Sequence, residues 1–188
     1  RSNLVPPLLS SVEQMREKYG WIVFEEDKNY ICRVEEEDVK GEEPITRCIS
    51  SSGESMLWID IDLEKEGVPE WILDHVRPRI VVSYWVRPQE HCTSMFRFIT
   101  QLLKPDEHCA EQCANDAPAR SKYHWSSWSQ KVGFGKVELV FQDYAIGMRK
   151  IRIISYFRTP FFWEEFYGCK FATLGVRIEM PNEMRWLT

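Results

Sequence analysis

One stretch of the sequence concentrates side chains that could bind a ligand. Residues 161–168 read Phe-Phe-Trp-Glu-Glu-Phe-Tyr-Gly, directly after Pro160 and between two strand-like runs. Aromatic rings exposed on such a loop could cover the apolar face of a sugar, whereas buried rings would form a lid over the end of a domain. Both interpretations stay open on these residues alone.

Histidine and cysteine side chains form a second candidate group. His108 and Cys109 lie close to Cys113 in the sequence, and together they could ligate zinc. Structural zinc sites usually have cysteines two residues apart in a repeated knuckle, whereas this is a single pair with three residues between. No feature of the sequence indicates that a cysteine and a histidine are brought together as nucleophile and base, and there is no glycine-rich phosphate loop or nucleophile elbow. We therefore expect a protein that is not an enzyme and that binds no metal ion or cofactor.

The composition limits the partners of the chain. Its 188 residues include 24 Lys and Arg against 29 Asp and Glu, which gives a net charge of −5. Such a chain has no basic excess to neutralise phosphates, so we expect no nucleic-acid partner. No apolar run approaches the ~20 residues that cross a membrane, so we expect no membrane partner either. Six cysteines without a signal-like segment or an N-glycosylation sequon favour reduced thiols in a cytoplasmic protein.

Residues 125–129 suggest a different cellular context. They read Trp-Ser-Ser-Trp-Ser, which resembles the tryptophan–serine box of extracellular cytokine receptors. A receptor fragment would also require paired cysteines, a signal peptide and a membrane anchor, and none is visible in the sequence. An extracellular receptor fragment therefore ranks last among the functional hypotheses.

Alternating hydrophobicity predicts that most of the chain forms strands. Helical spacing is confined to the first 19 residues, which include Val12, Met15 and Tyr19, and to one turn at residues 69–75. The acidic residues 35–44 predict a solvated loop. The strand-like runs are residues 21–24, 30–34, 56–63, 79–86, 94–103, 137–141, 149–157 and 167–178. Eight to ten short strands without βαβ alternation predict an all-β fold, an antiparallel β-sandwich of jelly-roll type with one or two short helical turns.

Several motifs, in a consistent order, resemble one known family. Residues 142–152, Gln-Asp-Tyr-Ala-Ile-Gly-Met-Arg-Lys-Ile-Arg, resemble the D-Y-G-P-G-V-R-x-[VI]-x-[FI] signature of the F-box-associated domain, the substrate-binding half of sugar-recognising F-box proteins. Similar matches occur at residues 20–23, 62–74, 77–85 and 162–170. The resemblance implies a linker at residues 1–18, following an F-box that this chain lacks, and a substrate-binding domain at residues 19–188.

The resemblance also implies where a ligand would bind. In the family, a Tyr-Trp-Lys trio on one loop contacts the N-linked high-mannose core, and its indole stacks on the chitobiose. The trio carries over to Phe162, Trp163 and Glu164, of which only Trp163 is unchanged. A contacting aromatic on an earlier loop aligns near Ser52, and Tyr84 replaces the family's usual aspartate on a strand. These five residues are the candidate ligand contacts.

The function implied by the resemblance is substrate recognition for a cullin-based ubiquitin ligase. The expected partners are N-glycosylated or misfolded glycoproteins and, through the missing F-box, the ligase adaptor. An indole that covers one sugar face buries ~50–100 Å² of apolar area, worth roughly 1–2.5 kcal/mol. Because even ~1 mM affinity requires about 4 kcal/mol, Trp163 would need accompanying hydrogen bonds. The alternative is a sugar-independent module of the same fold that binds a peptide degron or another protein.

Overall fold

The structure is a computed structural model, and it describes residues 22–25, 33–37, 45–49, 53–88, 94–107, 121–128, 135–159 and 169–181. These residues contain ten strands and one short helical turn of π type, Ile72–Val76. The strands are β1 Ile22–Glu25, β2 Arg33–Glu37, β3 Ile45–Ile49, β4 Gly53–Asp62, β5 Arg79–Pro88, β6 Ser94–Leu103, β7 Ser121–Trp128, β8 Gly135–Phe141, β9 Lys150–Thr159 and β10 Cys169–Glu179. The prediction of an all-β fold is therefore confirmed.

The strands form two five-stranded antiparallel sheets. The first sheet has the order β1-β4-β9-β6-β7 and the second has the order β2-β3-β10-β5-β8. Sequence neighbours such as β4 and β5 lie in different sheets, so the chain crosses repeatedly between the two layers. This arrangement confirms the predicted antiparallel β-sandwich.

The core lies between the sheets because one face of each central strand is apolar. On β5 the alternate residues Ile80, Val82, Tyr84 and Val86 are all buried. Facing strands of the first sheet contribute a matching set, which includes Phe96, Phe98 and Leu102 of β6 and Ile151, Ile153 and Phe157 of β9. A period of two places every second side chain on the same face, so this alternation is what forms the interior layer.

Aromatic rings fill the core near one end of the sandwich. Phe157 of β9 stacks on Phe171 of β10 with ring centroids 4.5 Å apart, which joins the two sheets. Phe96 lies 5.3 Å from Phe157, and Tyr84 contacts both Phe96 and Phe171. Buried aromatic pairs contribute roughly 0.5–1.5 kcal/mol each beyond the area that they bury. This cluster therefore fixes the spacing of the sheets at that end.

Three strands, β2, β3 and β7, differ from the prediction. Glu35 to Glu37 were expected in a solvated loop, but they lie in β2, where Glu35 is the register partner of Arg47 in β3. Strands β3 and β7 were not predicted at all. Because β2 and β7 are edge strands, each is paired on one side only and can carry charged or polar residues that hide the pattern of a strand.

Strand direction defines two ends of the sandwich. At the end that we call the upper end, strands β4 and β10 begin and strands β5 and β9 end. Gly53 is the register partner of Thr159 at this end, and Cys169 is the register partner of Pro88. The opposite, lower end is where Asp62 pairs with Lys150 and Arg79 with Glu179.

Candidate functional site

Four of the five predicted contacts lie outside the described residues, but the strand ends that carry them are described. Ser52 directly precedes Gly53, and residues 160–168, which contain Phe162, Trp163 and Glu164, directly follow Thr159. Gly53 and Thr159 are register partners on the adjacent strands β4 and β9. Both predicted segments are therefore attached to neighbouring strand ends at the upper end of the first sheet.

Tyr84, the fifth predicted contact, belongs to the core. Its exposed fraction is 0%, and its ring lies 5.4–5.7 Å from the rings of Phe96, Phe98 and Phe171. A side chain surrounded in this way presents no surface to a ligand. The burial of Tyr84 corrects the expectation that it contacts one, because the odd-numbered and even-numbered residues of β5 face opposite sides and Tyr84 shares the inward side with Ile80 and Val82.

Trp58 has a separate environment on the outer face of the first sheet. It is half-buried on β4, opposite Ile154 of β9, and the guanidinium of Arg152 lies 5.9 Å from its ring centroid. Arg152 also donates two hydrogen bonds to the carboxylate of Asp60, at 2.7 and 2.6 Å. These contacts place Trp58 in mid-strand, several residues away from the upper end.

The lower end is organised by one buried guanidinium. Arg149 is 6% exposed, and its Nη1 and Nη2 donate to the two carboxylate oxygens of Asp74 at 2.9 and 2.7 Å. Nη2 also lies 2.5 Å from Glu70, and Nε lies 3.0 Å from Glu64. We call these four residues the Arg149 hub. Three carboxylates around one cation satisfy the buried charge, and burial of that charge would be costly without them.

Electrostatics at the hub follow from these contacts. The hydrogen bonds from Arg149, then that from the backbone N–H of Gly147 at 2.9 Å, lower the pKa of Asp74 to about 2. The same bonds to Asp74, followed by those to Glu70, raise the pKa of Arg149 above its ordinary value. The pair is therefore charged throughout the neutral range, as a structural ion pair requires.

The backbone of residues 142–149 is shaped to reach the hub. Gly147 has φ 89°, a left-handed conformation that glycine adopts without a steric penalty and that accompanies the contact between its N–H and Asp74. Tyr144 is buried, its carbonyl accepts a hydrogen bond from Arg77, and burial raises its pKa to about 12. From the sequence, Arg149 and Tyr144 were identified only as positions that match the family signature. The sequence alone did not show that they are internal supports, because their partners lie about 70 residues earlier.

The described part of the chain offers neither a metal site nor a membrane-spanning helix. Among those residues, no group of three or more His, Cys, Asp and Glu side chains is arranged to hold a metal ion. His108, Cys109 and Cys113, the zinc candidates, lie outside them. None of the helical segments that the structure describes has the length and apolar character needed to span a membrane.

Solved structures share the fold at low sequence identity. The enzymatically active domain of tailspike protein 4 from bacteriophage CBA120 superposes with a TM-score of 0.55 at 9% identity, covering 94% of this chain and 21% of that one. TmCBM61, solved in complex with β-1,4-galactotriose, superposes with a TM-score of 0.50 at 9% identity, covering 95% of this chain and all of that one. Similarity at this level of identity shows the fold alone.

Curated relatives cover part of the chain. F-box only protein 6 of Bos taurus is 29% identical over 120 residues, which are 63% of this chain and 42% of the relative. The corresponding Rattus norvegicus protein is 28% identical over 108 residues, or 57% of this chain and 36% of the relative. F-box only protein 2 of Bos taurus is 25% identical over 119 residues, or 63% and 38%. The matched part thus spans less than half of each relative.

A family model gives the wider match. The model described as the F-box associated region matches residues 7–178, which include all ten strands except the last residue of β10. The residues that built the lower end, Tyr144, Gly147 and Arg149, lie inside this match, as do both segments attached at the upper end. The chain therefore belongs to the F-box associated region family.

Proposed function

We propose that this domain recognises substrates for a cullin-based ubiquitin ligase and that it binds N-glycosylated proteins of the high-mannose type at its upper end. One observation carries the proposal: the segments that contain Ser52 and Trp163 are attached to register partners, Gly53 and Thr159. Contacts that are 111 residues apart in sequence can then serve one ligand. The family membership supports the same role, and so do relatives named F-box only proteins.

The chemistry of the candidate contacts suits a neutral, hydroxyl-rich ligand. The indole of Trp163 can cover the apolar face of a sugar ring, which contributes roughly 1–2.5 kcal/mol. The Glu164 carboxylate can accept hydrogen bonds from sugar hydroxyls, and the Ser52 hydroxyl can donate or accept one. Phe162 can add apolar contact area. Together these groups can contribute more binding free energy than Trp163 alone.

The proposal includes a role without catalysis and a partner outside this chain. A domain that delivers substrates needs only to bind them, while the ligase adaptor would be reached through an F-box elsewhere in the protein. Such a ligase component acts in the cytoplasm, and a net charge of −5 gives it no general attraction to nucleic acid. Neither a metal ion nor a cofactor is required for this role.

A chitobiose titration followed by NMR tests the proposal. We expect shifts of the Trp163 indole resonance at millimolar sugar, and Trp163→Ala should weaken binding at least about tenfold, since 1.4 kcal/mol corresponds to a factor of ten. Trp71→Ala is the matched control, because Trp71 is exposed at the lower end. Equal binding by both variants, or no binding by the unmodified protein, would contradict the glycan proposal.

The changed trio supports a second candidate function. Glu164 and Phe162 stand where the family has a lysine and a tyrosine, so a hydrogen-bond donor and a hydroxyl are missing. A protein or peptide degron with a cationic group beside an apolar one would suit an indole next to a carboxylate. In this case Trp163→Ala abolishes capture of a substrate whose glycans have been removed enzymatically, whereas Trp71→Ala leaves that capture intact.

A further inference from the structure

The outer face of the second sheet carries charged side chains that the proposed function does not use. On β5 the odd-numbered residues face outward, because the even-numbered residues fill the core. Their register partners on β8 and β10 share this face. Five charged residues on these three strands contact one another in a continuous row. We call them the charged strip: Lys136, Glu138, Arg177, Glu179 and Arg79.

Each carboxylate of the charged strip is shared by two cations. Glu138 lies 2.9 Å from the Lys136 ammonium and 2.9 Å from Nη1 of Arg177. Glu179 accepts a hydrogen bond from Nε of Arg177 at 2.9 Å and another from Nη1 of Arg79 at 3.0 Å. Three cations and two carboxylates give the strip a net charge of +1, in a chain whose net charge is −5. The strip is therefore locally positive on a protein that is acidic as a whole.

The two ends of the charged strip retain donors for a ligand. The Arg79 side chain is 54% exposed, and only one of its five N–H donors makes a hydrogen bond within the described part of the chain, to Glu179. The Lys136 side chain is 40% exposed, and its ammonium, which has three donors, forms an ion pair with Glu138. An anionic ligand can thus bind both cations while their present partners stay in place.

An indole lies beside the charged strip at its upper side. Trp85 is half-buried on β5 and is the register partner of Lys136 on β8. The Lys136 ammonium lies 5.9 Å from the centroid of the Trp85 ring. An indole supplies a large, rigid apolar contact area, which charged side chains by themselves do not provide. A suitable ligand therefore combines anionic groups with an apolar one.

The outer face of the first sheet differs in both respects. Ile99 and Ile154 face outward there, since they alternate with core residues of β6 and β9, yet both are buried. The guanidinium of Arg152 donates two hydrogen bonds to the carboxylate of Asp60, so this cation has a carboxylate of its own. Excess positive charge that solvent can reach is thus a property of the charged strip on the second sheet.

The dimensions of the charged strip suit an extended peptide. Trp85 and Arg79 are six residues apart on β5, which is about 20 Å at roughly 3.3 Å per residue. An extended peptide of about seven residues spans the same distance. A nucleic acid carries a phosphate on every nucleotide and would bring some of them to Glu138 and Glu179, whereas a peptide can place acidic residues at the cations alone.

We propose that the charged strip and Trp85 bind an extended acidic segment of a partner protein. The carboxylates of the segment contact Lys136, Arg177 and Arg79, and an apolar side chain covers the Trp85 ring. This surface is a face of the second sheet, whereas the glycan proposal concerns the upper end of the first. The inference therefore goes beyond the proposed function and does not depend on it.

An NMR titration of the full chain at low ionic strength tests the proposal. The probe is an acetylated peptide, Phe-Thr-Glu-Thr-Glu-Thr-Glu-Thr. We expect shifts of the Trp85 indole N–H and of backbone amides in β5, β8 and β10. Lys136→Gln and Arg79→Gln should each weaken binding roughly threefold, as expected for an exposed charge pair, and added salt should weaken it as well. Lys65→Gln, which removes an exposed cation at the lower end, is the matched control and should bind normally.

Several results would overturn the proposal. These are the absence of shifts at millimolar peptide, shifts confined to other strands, equal binding of a peptide with Lys in place of Glu, and equal weakening by Lys65→Gln. Tighter binding of an oligothymidylate of eight nucleotides would overturn it in favour of a nucleic-acid surface. Trp163→Ala should leave peptide binding unchanged, so a failed chitobiose titration would not count against the charged strip.

Discussion

The two ends of this sandwich are built in different ways. At the lower end, Arg149 contacts Asp74, Glu70 and Glu64, so that a motif of the family is fixed by charge and hydrogen bonds. At the upper end, the described residues are strand ends above a layer of aromatic rings that includes Phe157 and Phe171. A scaffold that holds itself together at one end allows the segments at the other end to change in sequence without loss of the fold.

This difference explains why family membership and ligand contacts are separate questions. The motif that carries the resemblance, residues 142–152, contains Tyr144, Gly147 and Arg149, which are internal supports at the lower end. The proposed contacts depart from the family at Phe162 and Glu164 without any departure at Arg149. The comparison therefore predicts that stability and binding respond to different substitutions.

The largest effect on stability is expected from the aromatic core. Phe157→Ala should lower the free energy of unfolding by about 3–5 kcal/mol, because it leaves a cavity between Phe96 and Phe171. Urea denaturation measures the change. Ile146→Ala, at an exposed site, should stay within about 0.5 kcal/mol. A loss at Phe157 as small as that at Ile146 would show that the two sheets are not joined there.

Removal of the hub cation should have the next largest effect. Arg149→Met should cost about 3 kcal/mol, because it leaves Asp74 without its partner while Glu70 and Glu64 can return to water. Arg152→Met is the control on the outer face, where the pair with Asp60 is more exposed, and it should cost less than about 1 kcal/mol. Equal losses of unfolding free energy for the two variants would show that the buried ion pairs of Arg149 stabilise the fold no more than the exposed pair of Arg152.

The pH dependence of stability should identify the hub separately. Folding lowers the pKa of Asp74 from 3.8 to about 2, so its contribution is complete above its unfolded pKa and is lost as the pH falls toward 2. This contribution is about 2 kcal/mol, and Asp74→Asn should remove it at pH 7. Denaturation midpoints across that pH range measure it.

Glu138 provides the comparison for this titration. Hydrogen bonds from Arg177 and then Lys136 lower its pKa to about 2 as well, but 36% of its side chain is exposed. Solvent screening should therefore keep the effect of Glu138→Gln below about 1 kcal/mol. If Glu138→Gln reduced the loss of stability at acid pH more than Asp74→Asn, the acid sensitivity would come from the second sheet rather than from the hub.

A smaller effect than at the core or the hub is expected at the turn before Arg149. Gly147→Ala places a Cβ in open space at φ 89°, so its cost is backbone strain alone, about 1 kcal/mol. Gly135→Ala, whose backbone is not left-handed and whose added Cβ would lie 4.0 Å from the Val86 carbonyl oxygen, should cost less. Thermal unfolding distinguishes the two. A larger loss at Gly135 would contradict the strain argument.

Much of the fold could be predicted from the sequence where strands are central. The run at residues 94–103 coincides with β6, because its two faces alternate clearly and both neighbours are strands. β7 was missed and β2 was shifted toward the acidic residues, since edge strands are stabilised by pairing that the local pattern does not reveal. β3, an inner strand between β2 and β10, was missed as well. The helical turn predicted at residues 69–75 was found at Ile72–Val76.

The candidate site was predictable to a lesser extent. The sequence identified Ser52 and Trp163 through the resemblance, and these contacts remain proposals. It also offered Tyr84, which the structure assigns to the core. Compared with the family motif, tyrosine in place of aspartate at position 84 suggests a changed ligand contact. In the structure, however, Tyr84 lies on the inward face of β5 and packs in the core.

The sequence by itself determined the class and the family, because alternation with a period of two and the order of the motifs are properties of the chain alone. Tertiary structure decided that Gly53 and Thr159 are neighbours, that Asp74 faces Arg149 and that Tyr84 is buried. Each of these facts depends on pairing or packing between residues that are far apart in sequence. Local pattern contains no information about such partners until the sheets are assembled.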